Sequence, residues 1–331
     1  MIAIAETLSA LQHGKVQVFE NLALFPLIGS DAGGIEYQLF EESLQVGCAR
    51  VAEVSESGHV PELALTNDCD IPVLLLDGEE LVGAKQNRIL NLTILAPART
   101  TTVIPVSCVE AGRWSYATPE FKSSKRAFFS SGRAKKAASV SASMRASGAH
   151  ASDQAMVWDD IAEFSACMDV HSPTGAAEAL HTQNRPALDR YLAAFHAETN
   201  QTGALFAING RIVGIDLFDK RATYAKLLPL LIESYALDAI AAANEPLPET
   251  EESVPGFIES VANADVQSFP GAGLGQDARL QADRLTGGAL LVDGTVVHLC
   301  AFRLPEESSN RDRHPGTSRI TALSRRRRPH Q

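Results

Sequence analysis

Side chains able to do chemistry concentrate in two short stretches. The first is Leu74-Leu-Leu-Asp-Gly-Glu-Glu-Leu-Val-Gly-Ala-Lys-Gln-Asn-Arg88, and the second is Ile104-Pro-Val-Ser-Cys-Val-Glu-Ala-Gly-Arg-Trp114. Between them they carry Asp77, Glu79, Glu80 and Glu110 as acids, Lys85, Arg88 and Arg113 as cations, and the amides Gln86 and Asn87. The thiol Cys108 and the indole of Trp114 complete the set. All of these adjoin near-continuous apolar runs. Residues two apart on a strand share a face, so Arg88 aligns with Leu90, Leu92 and Ile94, while Cys108 and Glu110 align with Ile104 and Val106. If those are core faces, a guanidinium, a thiol and a carboxyl group all turn inward. A buried charge is costly unless paired, so this spacing predicts that Arg88 and Glu110 lie within salt-bridge range or share a ligand.

Acids in a desolvated recess beside fixed cations are what acid/base chemistry on a phosphate-bearing molecule requires. In an enzyme of that kind Glu80 or Glu110 serves as general acid or base. Lys85, Arg88 and Arg113 neutralise phosphate, Gln86 and Asn87 orient the substrate, Glu79 belongs to the ligand-binding set and Trp114 stacks on a base. The carboxylates would alternatively hold Mg²⁺, the one cofactor the pattern suggests. A sensor using the same recess without turnover is a second reading, because the stretches hold no nucleophile/base pair. A thiol enzyme built on Cys108 is a third; its apolar neighbours Ile104, Val106 and Val109 raise a thiol pKa unless Arg88 or Arg113 lies close.

The elements that must position these residues read as an α+β protein. Strand-like runs recur over Gln17 to Leu27, Tyr37 to Val54, Glu62 to Leu76, Glu79 to Leu95 and Thr100 to Val109, separated by turn signals such as Asp77-Gly78. Successive strands with no helix between them predict an antiparallel β-sandwich or partly open barrel. A helix is expected over Ala134 to Phe164 with its basic half solvated, and others start near Ser172-Pro-Thr-Gly175 and Asn184-Arg-Pro186. Hairpins are expected around Asn209-Gly210 and Asp293-Gly294, with a helix over Tyr224 to Ala243 between them. The acidic Asn244 to Pro255 reads as a loop. The expected divisions are residues 1–116 (β domain with the polar cluster), 117–165 (basic connecting helix), 166–303 (α+β region) and 304–331 (basic tail unable to order).

At 331 residues with 45% hydrophobic and 21% charged content, the chain can bury a large core, and wholesale disorder is excluded. No apolar run approaches the roughly 18 residues needed to cross a bilayer. The formal charge of −11 is uneven. Seven bases face one acid between residues 117 and 151, and seven arginines face three acids after residue 304, so the remainder carries −21. Such a body repels nucleic acid while one internal stretch attracts phosphate. The partner expected is therefore a small phosphorylated molecule and not a membrane, with no strong signal for nucleic acid. The N-terminus lacks the basic region of a secretory signal, so a cytoplasmic setting is expected. Five scattered cysteines suggest neither a disulfide framework nor a zinc site.

Gly78 to Arg88 and Pro105 to Trp114 resemble the signature stretches of the ARPP domain family, a domain found beside ADP-ribosylglycohydrolase and rhodanese-phosphatase-like proteins. The resemblance covers Phe19 to Phe302. It implies a role near ADP-ribose or phosphorylated nucleotides for Glu79, Glu80, Lys85, Gln86, Asn87, Arg88, Cys108, Glu110, Arg113 and Trp114. Weaker signals are read as structural. Phe269-Pro-Gly-Ala-Gly-Leu-Gly275 lacks the lysine of a P-loop, His298 reads as a satisfied core histidine, Trp158 as the anchor of its helix, and Lys135-Lys136 as a solvated face.

Overall fold

A computed structural model describes residues 2–55, 61–245 and 253–304. The chain opens with helix α1 (Ile2–Ser9) and strands β1 (Gln12–His13), β2 (Gln17–Phe19) and β3 (Leu22–Ile28). Strand β4 (Gln38–Leu39) then runs directly into helix α2 (Phe40–Gln45), where a continuous strand over Tyr37 to Val54 is expected from sequence. The local cause is Glu42, whose carboxylate accepts the Leu39 N–H at 3.0 Å and so closes the first helical turn. Strands β5 (Ala49–Glu53), β6 (Glu62–Asn67), β7 (Val73–Leu75), β8 (Glu79–Gly83), β9 (Arg88–Leu90), β10 (Ile94–Ala96), β11 (Thr100–Cys108) and β12 (Phe121–Ala127) follow.

Six of these strands close a barrel in the order β11-β6-β5-β12-β8-β9, and β10, β7 and β4 form a small side sheet. The β4–β7 pair is parallel, an exception within an otherwise antiparallel half. Alternation along the barrel strands sends Val51, Leu63, Leu65, Leu81, Leu90, Ile104, Val106 and Phe121 into one apolar cluster. Cys48 and Cys69 are joined in a single disulfide, while Cys108, Cys167 and Cys300 are free thiols. Spacing of 21 residues in sequence gives no hint of it; β5 and β6 pair so that Ala49 faces Asn67, and that brings the two Cα atoms to 5.0 Å.

The second half contributes helices α3 (Ser130–Ser147), α4 (Gln154–Cys167), α5 (Glu178–Gln183) and α6 (Arg185–Ala194), then strands β13 (Gln201–Ile208) and β14 (Arg211–Phe218), and helix α7 (Arg221–Ala241). Helix α8 (Val254–Ala262) and strands β15 (Asp265–Pro270), β16 (Gln276–Ala282), β17 (Leu285–Val292) and β18 (Thr295–Arg303) complete it. The Asn209-Gly210 and Asp293-Gly294 hairpins form as expected. Both residues of each pair take positive φ, the geometry of a type I′ turn. A nine-stranded sheet results, in the order β1-β3-β13-β14-β18-β17-β16-β15 with β2 also on β3. Strand β3 lies far from its sheet partner in sequence: Leu24 faces Phe206 and Leu22 faces Ile208. Helix α7 packs on β13, with Phe206 and Tyr235 stacked at 3.9 Å between ring centroids.

Helix α3 lies between barrel and sheet. Its Val140 and Met144 join the barrel core, while Ala134 and Ala137 join the cluster shared with the sheet. Its Ala/Ser composition allows close approach on both sides. The expectation of a solvated basic half holds for Arg145 and in part for Lys135, but fails at Lys136, which is fully buried together with Arg133 just before the expected start. The single expected helix over Ala134 to Phe164 is also two helices, the second capped by Asp153, whose carboxylate accepts the Ala155 and Met156 N–H groups. The tail after Leu304 and most of the acidic Asn244 to Pro255 stretch lie outside the described residues.

Candidate functional site

Register decides where the two chemistry-bearing stretches go. Arg88 pairs with Leu81 on one side and Cys108 on the other. Because Leu81, Leu90 and Val106 face the barrel interior, Arg88 and Cys108 enter it as well. The Arg88 side chain is fully buried, with Nη1 donating to Gln86 Oε1 at 3.1 Å. Its Nε and Nη2 have no hydrogen-bond partner among the described residues. Glu53, on the same strand face as Val51, also has both carboxylate oxygens buried without a partner. Burial pulls the Arg88 pKa below its ordinary value, opposed by the nearby Cys108, Glu53 and Glu110.

Aromatic rings cover this end of the barrel. Lys85 Nζ lies 5.2 Å from the Trp114 ring centre and 5.1 Å from that of Tyr116, and Arg88 Cζ lies 5.9 Å from Trp114. Both rings are about half exposed while Lys85 is buried, so two cations sit beneath a solvent-facing aromatic surface.

Glu110 makes its salt bridge to Arg113 and not to Arg88, so the direct pair, the first of the two arrangements expected from sequence, does not form. Strand β11 ends at Cys108, so the alternation that would turn Glu110 into the barrel is broken two residues early. Glu110 instead forms an isolated bridge with Ala176 and a salt bridge to Arg113 Nη2 at 2.6 Å. It also accepts the Asn87 N–H at 3.1 Å and the Thr174 hydroxyl at 3.0 Å. Burial pushes its pKa up, but the Arg113 and Asn87 hydrogen bonds outweigh that and hold the group below the usual carboxylate value. Arg113 additionally donates to Ala84 O and Asn87 Oδ1, so this pair ties the β8–β9 turn to the end of β11.

The adjacent acids leave β8 on opposite faces. Glu80 points away from the barrel interior, is 3% exposed, and has neither carboxylate oxygen partnered among the described residues. Burial, with repulsion from Glu178 and Glu110, pushes its pKa up to about 7 against the attraction of Arg126. Glu79 lies in a separate cleft, where it accepts the Ser123 hydroxyl at 3.0 Å and the Leu76 N–H at 3.2 Å. Burial raises it to about 7 too. The structure thus gathers Lys85, Gln86, Asn87, Arg88, Cys108, Glu110, Arg113 and Trp114 at the barrel mouth and sets Glu80 and Glu79 apart.

Cys108 is buried; desolvation raises its thiol pKa, partly offset by a contact to Glu110 O at 3.4 Å and by Arg88. Gln154 at the start of α4 accepts the Cys108 N–H and donates to the Cys108 carbonyl, taking the place of a neighbouring strand. Sequence reading missed Glu53, Tyr116, Gln154 and Thr174. Only Glu53 was legible, through its shared parity with Val51. Trp158 is partly exposed and does not anchor its helix in the core.

Asp77 belongs to a different, internal network. Lys136 Nζ donates to Asp77 Oδ2 at 2.8 Å, and Arg133 bridges Asp77 and Asp216, reaching the latter at 2.6 Å. His298 is the satisfied core histidine expected. Its Nδ1 meets Thr93 Oγ1 at 2.7 Å and its Nε2 meets Asp216 at 3.3 Å. Among the described residues, the ligand atoms of Asp216, His298 and Cys300 converge within 4.8 Å, and neither Glu80 nor Glu110 joins such a group. Arg133 already neutralises Asp216, and His298 is engaged by Thr93 and Asp216, so the existing partners of this trio account for it as core packing. The glycine-rich turn is structural as well: Leu274 N–H donates to Leu95 O, and a Cβ on Gly273 would stand 2.3 Å from that carbonyl.

No helix among the described residues is long and apolar enough to cross a membrane. A family model described as ARPP-1, ARG and Rhodanese-Phosphatase-superfamily-associated Protein domain, matches residues 10–302. No curated protein and no solved structure shows significant similarity. The chain belongs to the ARPP-1 family.

Proposed function

We propose, with membership of the ARPP-1 family as the premise, that the barrel mouth binds a nucleotide-like or ADP-ribose-like phosphorylated compound and that the protein acts on it as an enzyme. One observation carries the reading. Arg88 is a fully buried cation whose Nε and Nη2 lack partners among the described residues. Those two N–H groups form the fork that a phosphate oxygen pair fits, and buried donors left unpaired cost about 1–3 kcal/mol each. Lys85 adds a second positive charge, and Trp114 offers an exposed ring face on which a base stacks. Glu110 is held ionised by Arg113, whereas Glu80 exchanges its proton near neutrality. Environments that push two carboxyl groups apart in this way separate an electrostatic role from an acid/base role.

A second reading, a sensor without turnover, is favoured by the side of β8 from which Glu80 emerges. It leaves the strand opposite Leu81, the barrel-facing partner of Arg88, so a ligand must span the barrel rim to meet both. Binding and turnover of ADP-ribose, its cyclic form and its 2′-phosphorylated form, with and without Mg²⁺, test both readings. Arg88→Gln should weaken binding at least about tenfold, the loss of one charge-assisted contact. Glu80→Gln should abolish turnover and leave binding intact; binding without turnover in the wild type selects the sensor. Absence of binding to every compound refutes both. A cytoplasmic setting accords with such ligands, and it requires Cys48 and Cys69 to be recovered as free thiols from rapidly alkylated cells.

A further inference from the structure

The cleft that holds Glu79 is separate from the barrel mouth and has its own chemistry. Its volume is about 380 Å³, and it lies between α2, β7, β8 and α7. Phe40, Leu74, Leu76, Leu227 and Leu230 supply apolar walls. Glu79 is 4% exposed and is the one acid of the lining that has no cation bonded to it. Its two oxygens accept from Ser123 Oγ and Leu76 N. The lysines at the rim are already engaged, Lys125 with Glu41 at 2.9 Å and Lys226 with Glu42. Each carboxylate oxygen of Glu79 keeps a free lone pair, so the group can accept a further hydrogen bond without losing those it has.

We propose that this cleft is a binding site for a small organic amine, whose ammonium group meets Glu79 and whose hydrocarbon body lies on the leucine walls. Charge complementarity selects this class. The rim pairs cancel one another, leaving Glu79 as the acid of the lining with no cation bonded to it, beside walls of leucine and phenylalanine. An alcohol of the same shape would gain the apolar contact alone, and a carboxylate would meet like charge. The raised proton affinity of Glu79 adds a pH signature: the ammonium competes with a proton, so affinity weakens as the solution becomes more acidic than about pH 7.

Calorimetric titration of the full chain with n-hexylamine, 1-hexanol and hexanoate at pH 8 tests the site. Hexylamine should bind at least about tenfold more tightly than either, and Glu79→Gln should remove that preference while leaving hexanol unchanged. Leu227→Trp, which fills the cleft and leaves Glu79 in place, should abolish binding of all three; it also guards against misfolding of the Glu79 variant. Equal binding of amine and alcohol, preference for hexanoate, or no amine binding overturns the assignment. Because these probes carry no phosphate, failure here is independent of the outcome at Arg88.

Discussion

Lys136→Met tests whether charge holds the barrel to the sheet. The fully buried Lys136 ammonium donates to Asp77 Oδ2 at 2.8 Å, Leu90 O at 2.9 Å and Asn91 O at 3.0 Å. Methionine preserves the length and the apolar stem while deleting all three donors. Asp77, 2% exposed, would keep one side-chain ion pair, to Arg133 Nε at the long distance of 3.4 Å, and the attraction of Arg279 beyond hydrogen-bond range. Breaking a buried pair from one side costs about 3–5 kcal/mol. Part is returned, because burial outweighs the attraction of Asp77 and pulls the Lys136 pKa below normal, so the ammonium itself is costly to bury. A net loss of about 3 kcal/mol is expected, against a typical total of about 5–15. Urea unfolding followed by circular dichroism at pH 7 measures it. Asp77→Asn combined with Lys136→Met should be less destabilised than the two single losses summed, by about 2 kcal/mol, since an amide does not need the cation. The gap between wild type and Lys136→Met should narrow in acid: Asp77 has a lowered folded pKa, so its contribution is present above 3.8 and lost as pH falls through the folded value. A single-variant loss below about 1 kcal/mol, or strict additivity, refutes the charge argument.

Glu79 and Glu80 have folded pKa values raised to about 7 from 4.5, so the folded state holds extra protons between those values and stability falls as pH rises through that window. Each contributes a slope of up to about 1.4 kcal/mol per pH unit, and Glu79→Gln or Glu80→Gln should each flatten the measured profile by one proton. Replacing Cys48 and Cys69 together by alanine, which opens a loop spanning 21 residues, should lower stability by about 3 kcal/mol in oxidising buffer and leave it unchanged under reductant. Iodoacetamide mapping at neutral pH should label the exposed Cys167 well before the buried Cys108; the reverse order would restore the thiol-enzyme reading. Gly273→Ala should cost about 1–3 kcal/mol by thermal unfolding, because the new methyl meets the Leu95 carbonyl.

Local chemistry determined much of this protein. Asn209-Gly210 and Asp293-Gly294 specify tight hairpins through positive φ, and the alternation around Leu81, Leu90 and Val106 places Arg88 and Cys108 inside a β-barrel. The two motifs also carried the family resemblance. Tertiary structure decided what depends on partners distant in the chain. Helix α3 reads as a solvated basic helix because its own sequence cannot show that Asp77 and Asp216 will meet Arg133 and Lys136. Glu110 turned to Arg113 because β11 stops at Cys108, and where a strand ends is set by what pairs beside it. Cys48 and Cys69 meet only once β5 and β6 are in register. Periodicity fixes which way a side chain points, whereas the charge or thiol it finds there is fixed by the packing of segments that no short-range pattern connects.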